Sequence, residues 1–274
     1  MDYSKDLDSL WVEDEEFQTG VLDAILKDIR GVPDNYRATL LEYLKKEQMF
    51  YVPNDIYMKE VFGDDIVNYK YGIYNGDECK LCYRLAMPVR LLDNTVVGFI
   101  GYSNKDDFNE NNESFIKYLY PPKYVLKKSR YVYCTREEFS KAIKEQYVCI
   151  VDGLFDQKVL SAFGINAISL CGSVLTDYHR LYLNSIKHKV IVADNDEAGR
   201  KMANVIKKYY STAVEIYQDQ AKDIDGFMKM PNGVEKVKTI IEQMKLEGFT
   251  LSHKLYSRFV RSDYEVKKIN SKEN

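Results

Sequence analysis

A chain of 274 residues, 45% hydrophobic and 30% charged with a formal net charge of −3, has the composition of a folded globular protein with enough length to bury one large core or two modest ones. That balance excludes a disordered chain, and it lacks the overall basic excess by which nucleic-acid-binding domains are usually recognised. No run of about 18 apolar residues occurs, and Met1-Asp2-Tyr3-Ser4 opens neither a signal peptide nor a transit peptide, so a soluble intracellular protein is expected.

Residues 1–48 read as a short acidic lead followed by two helices. Phe17, Val21, Ile25 and Ile29 recur four apart, which predicts a helix buried along that stripe; after the break at Gly31-Val32-Pro33, Tyr36, Leu40, Leu41 and Leu44 continue the pattern. In residues 49–145, Cys79-Lys80-Leu81-Cys82 is a lone CxxC, and His179, His188 and His253 all lie far along the chain. No zinc site is therefore expected, and without a secretory signal the cysteines are expected as reduced thiols, with Cys134, Cys149 and Cys171 buried.

The runs 85–91 and 96–100 flank the polar turn Leu92-Asp93-Asn94-Thr95 and predict a β-hairpin. A polar loop, 104–112, separates it from a local surplus of base: between 117 and 136, Lys117, Lys123, Lys127, Lys128, Arg130 and Arg136 face no acid. A second, partly balanced surplus at 254–268 contains Arg258, Arg261, Lys267 and Lys268. Either is a solvated surface or a contact for a polyanion.

From 146 to 231 short apolar runs alternate with amphipathic segments of helical period, with strands at 148–151, 166–170, 189–193 and 212–216 and a helix at 197–210. Right-handed crossovers would make this a parallel sheet whose strands all open at one edge, where ligands of such sheets bind. Asp152 and Asp156 follow the first strand, Asp194 and Asp196 the third, and Asp223 and Asp225 come soon after the fourth. Carboxylates gathered there repel one another unless cations hold them, and hard oxygen donors suit magnesium or manganese bound together with phosphates. In 232–274, Val237, Ile240, Ile241 and Met244 mark a helix, and Leu251, Leu255, Phe259 and Val260 suggest another.

Taken in order, Asp152-Gly153-x-x-Asp156, Asn166-Ala167-Ile168 with Gly172-Ser173, Asp194-Asn195-Asp196-x-Ala198-Gly199-Arg200 and Lys222-Asp223-Ile224-Asp225 resemble the Toprim domain. The Ala-Gly-Arg ending resembles the form found in primases of the bacterial and phage type. Upstream, Arg84-Leu85-Ala86-Met87-Pro88-Val89-Arg90 with the strand after the turn resembles the arginine-bearing hairpin of the primase polymerase core, and Lys117-Tyr118-Leu119, two prolines and Lys128-Ser129-Arg130 resemble its lysine-rich segment. The resemblance runs from about 43 to 230. Toprim topoisomerases, recombination mediators and nucleases lack this hairpin and lysine segment before the Toprim core. The sequence departs from the family pattern at Asp152, where the family usually has glutamate, and at Tyr102, where its hairpin ends in arginine; it has no cysteine before Cys79 from which to build an N-terminal zinc ribbon.

The resemblance implies an α/β fold: a Toprim-like parallel sheet flanked by helices at 146–231, preceded by a mixed α+β basic subdomain at 49–145, with helical segments at 1–48 and 232–274. It implies DNA-templated synthesis of short RNA primers in phage or bacterial replication, in the cytoplasm. Asp152, Asp194 and Asp196 would be catalytic, and with Asp156, Asp223 and Asp225 would hold two magnesium or manganese ions. Arg84, Arg90, Lys117, Lys128 and Arg130 would contact a single-stranded DNA template and ribonucleoside triphosphates; a replicative helicase would be a further partner, and no membrane. Two alternatives stay open: a Toprim metal-dependent nuclease, since the acids alone do not set the direction of the chemistry, and a catalytically weak nucleic-acid-binding or inhibitory protein.

Overall fold

The structure, a computed structural model, describes residues 3–27, 33–67, 73–75, 78–103 and 117–255. The acidic lead is itself a helix, so three helices rather than two open the chain: α1 (Ser4–Glu13), α2 (Glu15–Lys27) and α3 (Asp34–Lys46). Helix α2 also turns a different stripe inward from the one the periodicity suggests. Gln18, Leu22 and Leu26 are buried, whereas Phe17 is 44% exposed; Val21 and Ile25 are half-buried, and Ile29 lies outside the described residues. Gln18 sets this orientation, because its Oε1 accepts the Tyr51 N–H at 2.7 Å and its amide donates to the Tyr51 carbonyl at 3.1 Å and to the Tyr57 hydroxyl at 2.7 Å. Helix α3 buries Tyr36, Leu40 and Leu44 along its expected stripe.

After β1 (Phe50–Tyr51), α4 (Tyr57–Phe62) and the small ribbon of β2 (Tyr74–Asn75) and β3 (Glu78–Cys79), the hairpin forms as β4 (Leu85–Arg90) and β5 (Val96–Tyr102). With β6 (Tyr118–Leu119) they make an antiparallel sheet in the order β1-β4-β5-β6. Pro88 is tolerated in β4 because β1 pairs only with Leu85 and Ala86, leaving an open edge at the proline. The polar loop 104–112 lies outside the described residues.

Helix α5 (Arg136–Glu145), started by a reciprocal cap between Thr135 and Glu138, leads into the second sheet. There follow β7 (Tyr147–Val151), α6 (Leu154–Ala162), β8 (Ala167–Ser169), α7 (Asp177–Leu183), β9 (His188–Ile191), α8 (Glu197–Tyr209), β10 (Val214–Tyr217), α9 (Ile224–Met228), α10 (Gly233–Leu246) and β11 (His253–Lys254). The sheet is parallel throughout, in the order β11-β10-β9-β7-β8, and all of β7 is buried. The expected helix through Leu251 and Leu255 is corrected here: His253 and Lys254 pair with Ile216 and Tyr217 as a further strand, and Ser252 Oγ accepts the Glu215 N–H at 2.9 Å. Phe259 and Val260, and with them Arg258, Arg261, Lys267 and Lys268, lie outside the described residues.

One hydrophobic core runs from Leu22, Tyr36 and Leu40 through Met87 and Ile100 of the hairpin to Val151, Val190 and Phe227 beneath the parallel sheet. All five cysteines are free, with Cys134, Cys149 and Cys171 buried. Among the described residues no helix is long and apolar enough to cross a membrane.

Candidate active site

The parallel sheet sets the site through its strand order. From β7 the chain crosses to β8 on one side, then returns to β9 on the other, so the carboxyl ends of β7 and β9 flank the point where the winding reverses and a crevice opens. Asp152 stands at the end of β7 and Asp194 beyond β9. Their carboxyl groups lie within hydrogen-bonding reach of each other. Burial, and then the charges of Asp152 and Asp223, push Asp194 up to about 7; burial raises Asp152 as well.

Neighbouring acids are held by their own loops. Asp196 and Asp223 cap α8 and α9, accepting the N–H of Gly199 at 2.9 Å and of Gly226 at 2.8 Å. Asp156, in the first turn of α6 and only 5% exposed, is pushed well above the carboxylate range by burial, then by Asp223, Asp194 and Asp225. Two glycines permit this crowding: a Cβ on Gly153 would lie 2.1 Å from Asp156 Oδ2, and one on Gly199 would lie 2.1 Å from the Asp194 carbonyl oxygen. Among the described residues the acids meet through these pairs and shared fields, and no three of them close into a ready-made metal shell.

The amino-terminal half reaches the acids through aromatic side chains. Tyr102 stacks on Phe155 of α6, centroids 5.0 Å apart and planes 11° apart, and the Tyr118 hydroxyl accepts the Phe155 N–H at 3.1 Å. Tyr102 thus fills with a packing contact the position where the family pattern has an arginine. Lys158, two residues past Asp156 and 2% exposed, pairs with Glu47 at 3.0 Å and lies over the Tyr133 ring at 4.7 Å. The Tyr36 hydroxyl donates to Asp225 Oδ1 at 2.5 Å.

The basic residues do not form one group. Arg84 is half-buried, folds across Gly101 of β5, and is held below its usual range by burial. Arg90 sits at the other end of β4, about 20 Å of strand away at ~3.3 Å per residue. Its guanidinium donates to Gln48 and to the Asn94 carbonyl, which holds it at the hairpin turn. Lys117, Lys128 and Arg130 are exposed on the segment after the hairpin, each against a ring: Tyr118 at 5.5 Å, Tyr120 at 4.0 Å and Tyr178 at 4.7 Å.

A cleft of about 720 Å³ lies between this segment and the loop after β8. Its walls include Lys123, Lys127 and Lys128 on one side and Cys171, Gly172 and Ser173 on the other. It adjoins the acids, since the Gly172 N–H donates to the Asp152 carbonyl at 3.1 Å. Nothing local in the chain marks Phe155, Lys158 and Lys229 as residues of the site; Tyr36 carries only the signal of a core residue in a helical stripe, and Tyr118 only that of its place in the lysine-rich segment.

Residues 149–228 match the Toprim-like family model. The DNA primase of Rickettsia felis is 28% identical over 155 residues, which cover 56% of this chain and 24% of that protein, so the match spans about a quarter of the relative's length. Among solved structures, the zinc-binding and RNA polymerase domains of the Aquifex aeolicus primase superpose with a TM-score of 0.66 at 20% identity, covering 98% of this chain and 65% of that one. The DnaG primase catalytic domain bound to single-stranded DNA gives 0.62 at 20% identity, covering 87% and 78%. The chain therefore carries a Toprim-like domain set in the fold of a DNA primase catalytic core.

Proposed function

We propose that this chain is the polymerase core of a DNA primase, joining ribonucleotides into short RNA on a single-stranded DNA template in phage or bacterial replication. The observation that carries this reading is the Asp152/Asp194 pair at the winding reversal, with Asp152 bonded through its carbonyl to a cleft walled by Lys123, Lys127 and Lys128. A nuclease and a polymerase both need the acids and cations for phosphates; what favours the polymerase is the hairpin and lysine-rich segment placed directly before the Toprim-like region. The relatives' names, and the DNA-bound domain among the similar structures, support the same reading. The cytoplasm would be its location, a replicative helicase a further partner, and 1–48, 49–145, 146–231 and 232–274 its divisions.

The donor set fits a hard divalent cation: all donors are carboxylate oxygens, and burial together with mutual repulsion has raised Asp152, Asp156 and Asp194. Asp152, Asp194 and Asp196, with Asp156 and Asp223, would hold magnesium or manganese, which when bound supplies stabilisation of charge on the attacking and leaving oxygens. The chain's own residues do the rest. Lys123, Lys127 and Lys128 hold phosphates as point charges, Tyr120, Pro121 and Leu170 offer an apolar wall to a base, and Lys117 and Arg130 extend the cationic edge toward the template.

The test is to incubate the purified chain with single-stranded DNA, the four ribonucleotides and magnesium or manganese. Template-dependent short RNA is the expected product. Shortened DNA in its place would mean a nuclease, and binding with neither product would mean a binding or inhibitory protein.

A further inference from the structure

Asp225 differs from the other acids of the cluster in how completely the protein itself engages it. Its Oδ1 accepts the Tyr36 hydroxyl at 2.5 Å, and its Oδ2 pairs with Lys229, one turn on at the C-cap of α9. The Asp225 and Lys229 side chains are only 15% and 18% exposed. Its backbone N–H, in turn, donates to Asp156 Oδ1 at 3.3 Å. Each carboxylate oxygen already accepts one donor, and a cation on the lone pairs that remain would meet the Lys229 ammonium at close range in a largely buried place, where like charges repel strongly.

We propose that Asp225 is a positioning residue rather than a metal ligand: anchored by Tyr36 and Lys229, it fixes Asp156 through its backbone N–H and makes helix α3 part of the active site. The proposal rests on the reading of the acids as a divalent-cation site. It also explains why Tyr36 carries a hydroxyl within an otherwise apolar stripe with Leu40 and Leu44. Asp156 lies opposite Gly153, where a Cβ would stand 2.1 Å from its Oδ2, so the loop on one side and the Asp225 amide on the other leave it little freedom.

The experiment titrates Mn2+ into metal-free variants of the 274-residue chain and follows the free-ion electron paramagnetic resonance signal, with circular dichroism to confirm folding. Asp225→Asn alone strands Lys229 and should weaken Mn2+ binding roughly 10-fold. Asp225→Asn with Lys229→Met removes both charges but keeps an acceptor for Tyr36 and the N–H for Asp156. It should return affinity to within about three-fold of wild type. Asp194→Asn with Lys229→Met should stay as weak as Asp194→Asn. Tyr36→Phe should lower kcat for primer synthesis on the order of 10-fold with KM for nucleotide nearly unchanged, since it disturbs placement rather than binding. A double variant at 225 and 229 as weak as Asp225→Asn would make Asp225 a ligand and overturn the proposal. Tyr36→Phe with unchanged kcat would remove α3 from the site and overturn it equally. No Mn2+ binding by the wild-type chain would overturn the cation reading itself, and this proposal with it.

Discussion

Replacing Asp194 by asparagine should stabilise the metal-free protein, and only above mildly acidic pH. The fold pushes this carboxyl from its ordinary value of 3.8 up to about 7, chiefly by burial and then by the charge of Asp152. A rise of about three pH units corresponds to about 4 kcal/mol against the ionised form; because Asp194 is partly open to water, screening reduces this to roughly 1–2 kcal/mol. The sign follows from where the proton sits. Between about pH 4 and about pH 7 the folded chain binds a proton that the unfolded chain has released, so the associated stability is complete below that window and lost as pH rises through it. Asparagine has no such dependence. In EDTA near pH 8, Asp194→Asn should therefore melt higher than wild type by roughly 2–8 °C, with the gap closing near pH 4. Saturating Mg2+ should reverse the order, because the wild-type site gains binding free energy that the variant loses. Equal melting temperatures in EDTA near pH 8, or a gap that persists at acid pH, would refute the destabilisation of ionised Asp194 by burial and by Asp152.

Further perturbations test other parts of the argument. Gly153→Ala would place a Cβ 2.1 Å from Asp156 Oδ2 and force out of place a carboxyl held between this loop and the Asp225 N–H; the melting temperature should drop and primer synthesis should fall on the order of 100-fold. Lys158→Met leaves Glu47 buried without its partner and should cost about 3–5 kcal/mol in denaturant titrations, most of it recovered by adding Glu47→Gln. Lys128→Ala should weaken single-stranded DNA or nucleotide binding and lower the log–log salt slope by up to about 0.7, whereas Arg90→Ala, tied to Gln48 and Asn94, should leave both unchanged. Asp152→Glu adds a methylene of about 1.5 Å at a carboxyl already meeting Asp194 and should reduce rather than raise the rate of RNA synthesis.

The edge on which the acids gather was legible in the chain alone. Alternating apolar runs and amphipathic helices specify a parallel sheet, and every acid placed just past a strand of such a sheet must emerge at the same edge, whatever the strand order. The same local logic marked the β-hairpin and the acid-free segment at 117–136. Which acids couple was not legible, because strand adjacency is a long-range property: Asp152 and Asp194 meet only because β9 pairs with β7 on the side away from β8. Helix α2 shows the limit of periodicity, since Phe17, Val21, Ile25 and Gln18, Leu22, Leu26 are adjacent stripes of equal spacing, and the backbone of Tyr51 chose between them by binding Gln18. Arg84 and Arg90 look equivalent in a basic hairpin, yet a strand of six residues carries them to opposite ends, and only Arg84 shares its end with Tyr102 and Phe155. The contact of Tyr36 with Asp225 spans 189 positions. Local sequence determines which residues form each element and which edge a strand's last side chain faces; contacts between distant elements are decided only when those elements pack, because burial rewards any apolar face and only the assembled core selects one.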